Sequence, residues 1–333
     1  MNESIISFIY SNMDKLLAVL FIILLFFIPI TLKKTFVDEK AVKEAEEPCT
    51  VFITVEGEEQ PIPLEEYVLG VVAGEMPVSF HEEALKAQAI AARTYALQTT
   101  DHGKKPIAAT VAAQVYKTKA ERKKRWGKEY KRNERKLRKI VEATNGQTIV
   151  YGEEMITAMF FSTSNGKTET AQNYSGNSIP YLQSVESPDE EIVEATVERQ
   201  IELPIQKWNE ALNINWNAEH FKSLKLVRNQ TGRVQKVIST NFEMSGREMR
   251  EALGLASTDF DIAYDVTNKI VIISTKGYGH GVGMSQYGAE AFAQKGWNAE
   301  NILTYYYSGT KIKKFQLNES ECLKTSSLAN NSN

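Results

Sequence analysis

Residues 65–77 read Glu-Glu-Tyr-Val-Leu-Gly-Val-Val-Ala-Gly-Glu-Met-Pro, and residues 79–100 read Ser-Phe-His-Glu-Glu-Ala-Leu-Lys-Ala-Gln-Ala-Ile-Ala-Ala-Arg-Thr-Tyr-Ala-Leu-Gln-Thr-Thr. The first stretch predicts a short helix over 65–73. It ends near Met76 and Pro77, because the residue before a proline disfavours helix. Ser79 and Glu82 have capping-box spacing, which predicts a second helix running to about Thr100. Leu85, Ala89, Ala92 and Ala96 share one face at helical spacing, and side chains this small permit close helix packing.

Outward from this pair, Val51 to Val55 reads as a strand. Residues 147–162 alternate in strand fashion around a turn at Tyr151 and Gly152. Residues 224–241 predict a hairpin around Gln230-Thr-Gly232. Ser245 to Glu248 is a second capping box, and Gly254 ends that helix. Residues 269–275 form a strand, with helices near 285–294 and 299–307. No internal repeat is present. Short strands alternating irregularly with helices give an α+β fold class rather than a regular parallel sheet.

The chain has 333 residues, 42% hydrophobic and 24% charged, with a net charge of −3. These values exclude a wholly disordered chain, a collagen, a coiled-coil rod and a polytopic membrane protein. The only cysteines are Cys49 and Cys322; they could bridge or stay as thiols, and they form no CxxC pair. Leu16 to Leu32 carries no charge across 17 residues. At about 1.5 Å per residue it spans roughly 25 Å, near the lower limit for a membrane helix. A signal-peptide core is shorter, and no small-x-small site follows Ile30. The expected organisation is therefore a short segment 1–15, a transmembrane anchor 16–32, a polar linker 33–48, a folded unit 49–318 and a disordered tail 319–333. Lys15 on one side and Lys33 and Lys34 on the other leave orientation undecided by charge.

Two segments are strongly charged. Residues 117–139 hold thirteen Lys or Arg against three Glu. Trp126, Tyr130, Leu137 and Val141 recur at helical spacing, predicting one helix with a narrow apolar stripe and a basic remainder. Residues 186–202 hold seven acids and one Arg and read as a surface loop or edge. A solvated helix face balanced by these acids fits better than a nucleic-acid or anionic-lipid patch.

Several residues could carry chemistry. Glu75 ends its helix in apolar surroundings. Helix carbonyls and apolar neighbours both push a carboxyl toward its protonated form, as a general acid requires; the start of the following helix acts oppositely. A glutamate capping its own loop is the plain alternative. Arg93 and Tyr95 sit on an alanine-rich helix, where Arg93 either pairs with a buried acid or reaches a cleft. Phe160 to Thr168 ends a strand in hydroxyls, an amide and a glycine, suited to a polyhydroxylated ligand or to an ordinary turn. Gly277-Tyr-Gly-His-Gly-Val-Gly-Met-Ser-Gln-Tyr-Gly288 implies close backbone approach or unusual dihedrals. Its spacing fails GxGxxG. His280 within it is either structural or exposed to a cleft. The histidines form no metal motif.

Taken together, residues 65–76, 87–95, 160–168, 279–288 and 302–309 resemble the stage II sporulation protein D family, in order over roughly 50–315. The resemblance implies a lytic transglycosylase that cleaves between N-acetylmuramic acid and N-acetylglucosamine and leaves 1,6-anhydro ends. It implies denuded peptidoglycan glycan strands as substrate, engulfment in endospore formation, and stage II sporulation proteins P and M as partners. It also implies a catalytic domain on the outer face of the cell membrane. The family's catalytic glutamate falls on Glu75. Arg93, Tyr95, Ser162, Ser164, Lys167, His280 and Gln286 are candidates for holding glycan. Some members carry a His/Cys zinc site after the catalytic helices; the matching Thr110 to Tyr116 has no Cys, so no metal or other cofactor is expected. A wall-binding protein that enhances an amidase is the competing reading.

Overall fold

The computed structural model describes residues 50–110, 113–188, 190–193 and 197–315. The expected anchor 16–32, the linker 33–48, both cysteines and the tail 319–333 lie outside these residues. No helix among the described residues is long and apolar enough to cross a membrane.

The observed class is α+β. Strand β1 (Phe52–Ile53) pairs antiparallel with β2 (Ile62–Pro63), which leads straight into α1 (Leu64–Glu75). Met76, ahead of Pro77, is extended and stops α1. Helix α2 (Glu82–Thr99) is capped two residues beyond the expected Ser79. His81 is the N-cap: its Nδ1 accepts from the Glu83 N–H at 3.2 Å, and its own N–H donates to Glu290 at 2.6 Å. The Ser79–Glu82 box does not form, because a carboxylate distant in sequence fixes the helix start instead.

Then come α3 (Lys119–Trp126), α4 (Tyr130–Ala143), the hairpin β3 (Gln147–Tyr151) and β4 (Glu154–Met155), and β5 (Phe160–Phe161). Short helices α5 (Ala171–Ser175) and α6 (Glu190–Val193) follow. An inserted lobe then runs through β6 (Glu198–Pro204), α7 (Ile205–Leu212), α8 (Ala218–Lys222), β7 (Lys225–Arg228), β8 (Val234–Ser239), β9 (Phe242–Ser245), α9 (Gly246–Leu253), β10 (Phe260–Asp265) and β11 (Ile270–Lys276). The chain returns through β12 (Met284–Ser285), α10 (Gln286–Gln294), α11 (Ala299–Tyr306) and β13 (Lys311–Lys314).

The main core is built around α2. Alanines 84, 87, 89, 91, 92 and 96 are buried together with Leu85, Ile90 and Leu97, so the helix is enclosed nearly all round. Side chains this small let α1, α4, β3, α10 and α11 all pack on one axis. β3 is flanked by β13 and β4, and β12 pairs parallel with β5, setting Met284 opposite Phe160 and Ser285 opposite Phe161. The lobe has its own core, with Trp208, Val237, Met249, Phe260 and Ile273 between the sheets β10-β11-β6 and β7-β8-β9. The acidic segment contributes the edge strand β6 of this lobe.

The basic segment is two helices, not one. Gly127, at φ 49°, breaks it, and residues 127–129 form a short 3-10 turn. The break folds α3 back on α4, and its purpose is visible at Arg122, which is 1% exposed. Its guanidinium grips Glu134 through two bonds of 3.0 and 2.9 Å and Glu66 of α1 at 2.6 Å. Arg138 bonds the same two carboxylates. One cation of the basic stretch is thus the tie among three helices.

Gly70 and Gly74 lie one turn apart on α1. A Cβ at Gly70 would strike the Tyr116 ring, and one at Gly74 would strike the Val115 carbonyl. Residues 115–117 therefore lie flat on α1, with the Lys117 N–H donating to the Gly70 carbonyl at 3.1 Å.

Two outcomes follow from this packing. Arg122→Ala leaves Glu134 enclosed with one cation fewer and should cost about 3 kcal/mol, read as a lower urea midpoint at unchanged slope. In an exposed helix Gly→Ala gains up to about 1 kcal/mol. Gly74→Ala should instead lose roughly 1–2 kcal/mol, the cost of overpacking against Val115. A stabilised Gly74→Ala variant would show that the close approach is not maintained.

Candidate functional site

The site forms where the last residue of α1 meets the first residue of α10. Glu75 is half-buried. Its Oε1 accepts from the Val115 N–H at 2.6 Å, and its Oε2 accepts from Gln286 Nε2 at 3.1 Å. The first bond exists because Gly70 and Gly74 bring residues 115–117 against α1. The second exists because Ser285 caps α10 through the Gly288 N–H at 3.2 Å, which points Gln286 back at α1. Gln88 Oε1 lies 3.5 Å from Gln286 Nε2, and Gln88 Nε2 is buried with no partner among the described residues.

Burial pushes the Glu75 carboxyl above the ordinary carboxylate range, against the opposing pull of the Val115 and Gln286 donors. Burial, more than the helix-end carbonyls, is the dominant cause. One of those carbonyls, that of Ala73, accepts from Arg125 at 2.9 Å. Among the described residues no second carboxylate is bonded to Glu75.

Aromatic side chains lead away from Glu75. Tyr67, fully buried in α1, donates to Gln114 at 3.0 Å, and burial with the charges of Tyr95 and Glu75 raises its phenol. Tyr95 is half-buried; burial raises its phenol, and the Thr99 side chain bonded to it pulls the other way. Tyr174 comes next, its ring 5.5 Å from that of His280. The His280 ring also faces Phe161 at 5.8 Å, and its Nδ1 accepts from the Val282 N–H at 3.1 Å. Burial, then the charge of Arg250, lowers His280 to about 4, so it is neutral at neutral pH. The glycine-rich loop has positive φ at Gly277, Gly279, Gly281 and Gly283, and Gly279 lets the loop pass against Phe161.

The candidate residues divide by position. Gln286 touches Glu75. Ser162 stands at the end of β5, where its carbonyl accepts from Ser285 Oγ and the Tyr287 N–H. Tyr95 and His280 border Tyr174. Arg93 does not reach the site: it is fully enclosed and grips Glu65 with bonds of 2.8 and 2.6 Å while its Nη1 reaches the Gln147 carbonyl at 3.1 Å. It is the buried ion pair of its two possible readings. Ser164 is 1% exposed and spends both its N–H and its hydroxyl on Glu190. Lys167 is exposed and pairs with Glu186 at 3.0 Å.

Sequence reasoning missed Gln88, Val115, Tyr67 and Tyr174. Gln88 was detectable as a long polar side chain amid alanines. Val115 acts only through its backbone and left no signal. Among the described residues no group of three or more His, Cys, Asp or Glu could hold a metal ion.

A family model described as Stage II sporulation protein matches residues 56–151, which include Glu75 and both helices around it. The chain is 38% identical over 292 residues to Stage II sporulation protein D of Bacillus amyloliquefaciens, covering 85% of this chain and 84% of that protein. It is 38% identical over 272 residues to the protein of the same name from Bacillus subtilis (strain 168), covering 79% and 78%. An Amidase enhancer of Bacillus subtilis (strain 168) is 30% identical over 299 residues, 74% of this chain but 40% of that longer protein. Similarity of this extent to the two sporulation proteins means that the chain belongs to the stage II sporulation protein D family.

Proposed function

We propose that the chain is a peptidoglycan lytic transglycosylase, cleaving the bond between N-acetylmuramic acid and N-acetylglucosamine in denuded strands and leaving 1,6-anhydro ends. The observation that carries this reading is Glu75: a carboxyl held by two donors and raised by burial, as a general acid requires. A hydrolase of the usual kind places two carboxylates across the scissile bond. One carboxyl suffices when the sugar supplies its own nucleophile.

Glu75 begins as the acid, its pKa raised by burial. The acid proton passes to the glycosidic oxygen as its bond to C1 of the muramic acid breaks. The carboxylate then takes the proton from the C6 hydroxyl as O6 bonds to C1. No water is consumed, and Glu75 returns to its acid form. The Val115 and Gln286 donors stabilise the carboxylate between the two transfers.

The names of the relatives support a role in sporulation, and we assign the activity to engulfment in endospore formation. In this reading residues 16–32 anchor the chain in the cell membrane, the folded unit faces outward, and stage II sporulation proteins P and M are partners. The similarity to an Amidase enhancer favours one alternative, a non-catalytic wall-binding protein that enhances an amidase.

Full-length chain in detergent, given peptide-free glycan strands, should release sugars one water lighter than hydrolysis products, read by mass spectrometry. Glu75→Gln should lower turnover by at least about a hundredfold, the usual contribution of acid–base catalysis, while strand binding persists. Intact strands that remain bound to the wild-type chain would favour the enhancer reading instead. The pH profile is a separate check. The acid form starts the reaction and its pKa is raised. Activity should therefore hold through the ordinary carboxylate range and fall on an alkaline limb lying above it. Loss of activity already at the pH where exposed glutamates ionise would remove Glu75 from the acid role.

A further inference from the structure

The arginines that tie elements together in the two cores have carboxylate partners. Arg93 has Glu65, Arg122 has Glu66 and Glu134, and Arg228 of the lobe has Asp259 and Asp261. Arg250, half-buried on α9, has none among the described residues. Its Nε donates to the Leu255 carbonyl at 3.2 Å, helping to close the end of α9, and none of them accepts from Nη1 or Nη2. Ala256, next to Leu255, accepts from the Gly279 N–H, so Arg250 stands beside the loop that carries His280, and its charge interacts with His280, Tyr174, Glu251 and Tyr278.

Two further arginines stand close by, each with acids near it. Arg247, one turn earlier on α9, lies 4.5 Å over the Tyr174 ring while its Nε bonds Glu251 at 2.9 Å. Arg233 is 3% exposed, and its guanidinium lies flat against Gly281, where a Cβ would come within 2.7 Å. Its Nη2 donates to the Lys167 carbonyl at 3.0 Å, and its Nη1 is buried with no partner among the described residues. No carboxylate is bonded to Arg233, but Glu169, Asp259 and Glu190 act on it electrostatically while their oxygens are held by Asn173, Asn229 and Thr231, by Asn165 and Arg228, and by Ser164 and Ser187. His280, at the centre of these arginines, adds no charge and offers only a ring face.

A half-buried guanidinium with no carboxylate bonded to it keeps its Nη donors free for a ligand. Such a group suits a ligand that brings the missing anion, and its planar fork matches a carboxylate. We infer that Arg250, flanked by Arg247 and backed by Arg233, is a carboxylate-reading subsite through which the inserted lobe recognises an acidic sugar of the bound glycan. The identity of the ligand rests on the glycan-cleaving reading above. In a wall glycan the acidic group available is the lactyl carboxyl of muramic acid, free where no peptide is attached. The His280 ring gives the sugar a neutral apolar contact, and the arginines of α9 set the position of its acid.

The test uses the full chain carrying Glu75→Gln, so that strands bind without being cut. Peptide-free strands are compared with the same strands after reduction of the carboxyls to alcohols, by titration calorimetry. Reduction should weaken binding about tenfold or more, the scale of one charge-assisted bond. Adding Arg250→Gln should weaken binding of the acidic strands to the same level and remove the difference between the two ligands. Arg250→Lys should restore part of it. Equal affinity of the Glu75→Gln chain for acidic and reduced strands would overturn the inference, and this arm needs no substitution at Arg250. If the wild-type chain cuts both strands equally well, the lyase reading stands and this subsite falls. If the chain discriminates in binding while the wild type cuts neither, the subsite stands and the lyase reading falls.

Discussion

The flat approach of residues 115–117 to Gly70 and Gly74 is the contact on which the site depends. Side chains on that face of α1 would hold the segment away, and the Val115 N–H would no longer reach Glu75. The same approach stacks Tyr116 on Tyr67 with ring centroids 5.4 Å apart, closing the floor beneath the carboxyl. A buried carboxyl is costly when ionised, and here one backbone donor and one amide limit that cost without abolishing it. Glu75 is thus held between forms, above the ordinary range yet able to give up its proton.

Charge in this molecule is used mainly to fix helices. Arg93 joins α1 to α2 and reaches β3; Arg122 joins α1, α3 and α4. Each is enclosed, so each is tied to its partner by the penalty of leaving an ion unpaired. Lys136 works similarly from the surface, donating to the Val78 and Phe80 carbonyls at 2.8 Å in the connection between α1 and α2. The turn beyond Glu75 is therefore held from below by α4. Rigid ends of this kind keep a reacting group in place.

What the sequence made legible had local causes. The end of α1 before Pro77, the Ser245 capping box, the Gly254 stop and the hairpins at 147–155 and 225–239 each rest on residues a few positions apart, and the structure has them. Glu75 was legible as a candidate because its apolar neighbours are adjacent in the chain. Features set by distant partners were hidden. Glu290 decides where α2 starts, 209 residues from His81. Glu65 decides that Arg93 points inward, 28 residues away. The break at Gly127 was hidden by a uniformly basic pattern, in which the one enclosed cation, Arg122, looks like its neighbours. Val115 could not be found at all, since a backbone N–H carries no side-chain signature.

The inserted lobe raises the question of why a compact helical core would carry a second one. The lobe's aromatic core, with Trp208, Trp216 and Phe221 in mutual contact, makes it a firm body in its own right. Yet both chain crossings into it come from strands and loops beside the glycine-rich segment, and Gly277 and Gly279 bond back to Val197 and Ala256 at 2.8 and 2.9 Å. Arg233 then locks the lobe onto Gly281 and the Lys167 carbonyl. The core alone supplies the carboxyl and its donors, which is enough to move a proton. The lobe supplies α9 and its arginines beside the loop that carries His280. Chemistry and charge recognition therefore come from different parts of one chain, joined where alternate glycines let the backbones meet.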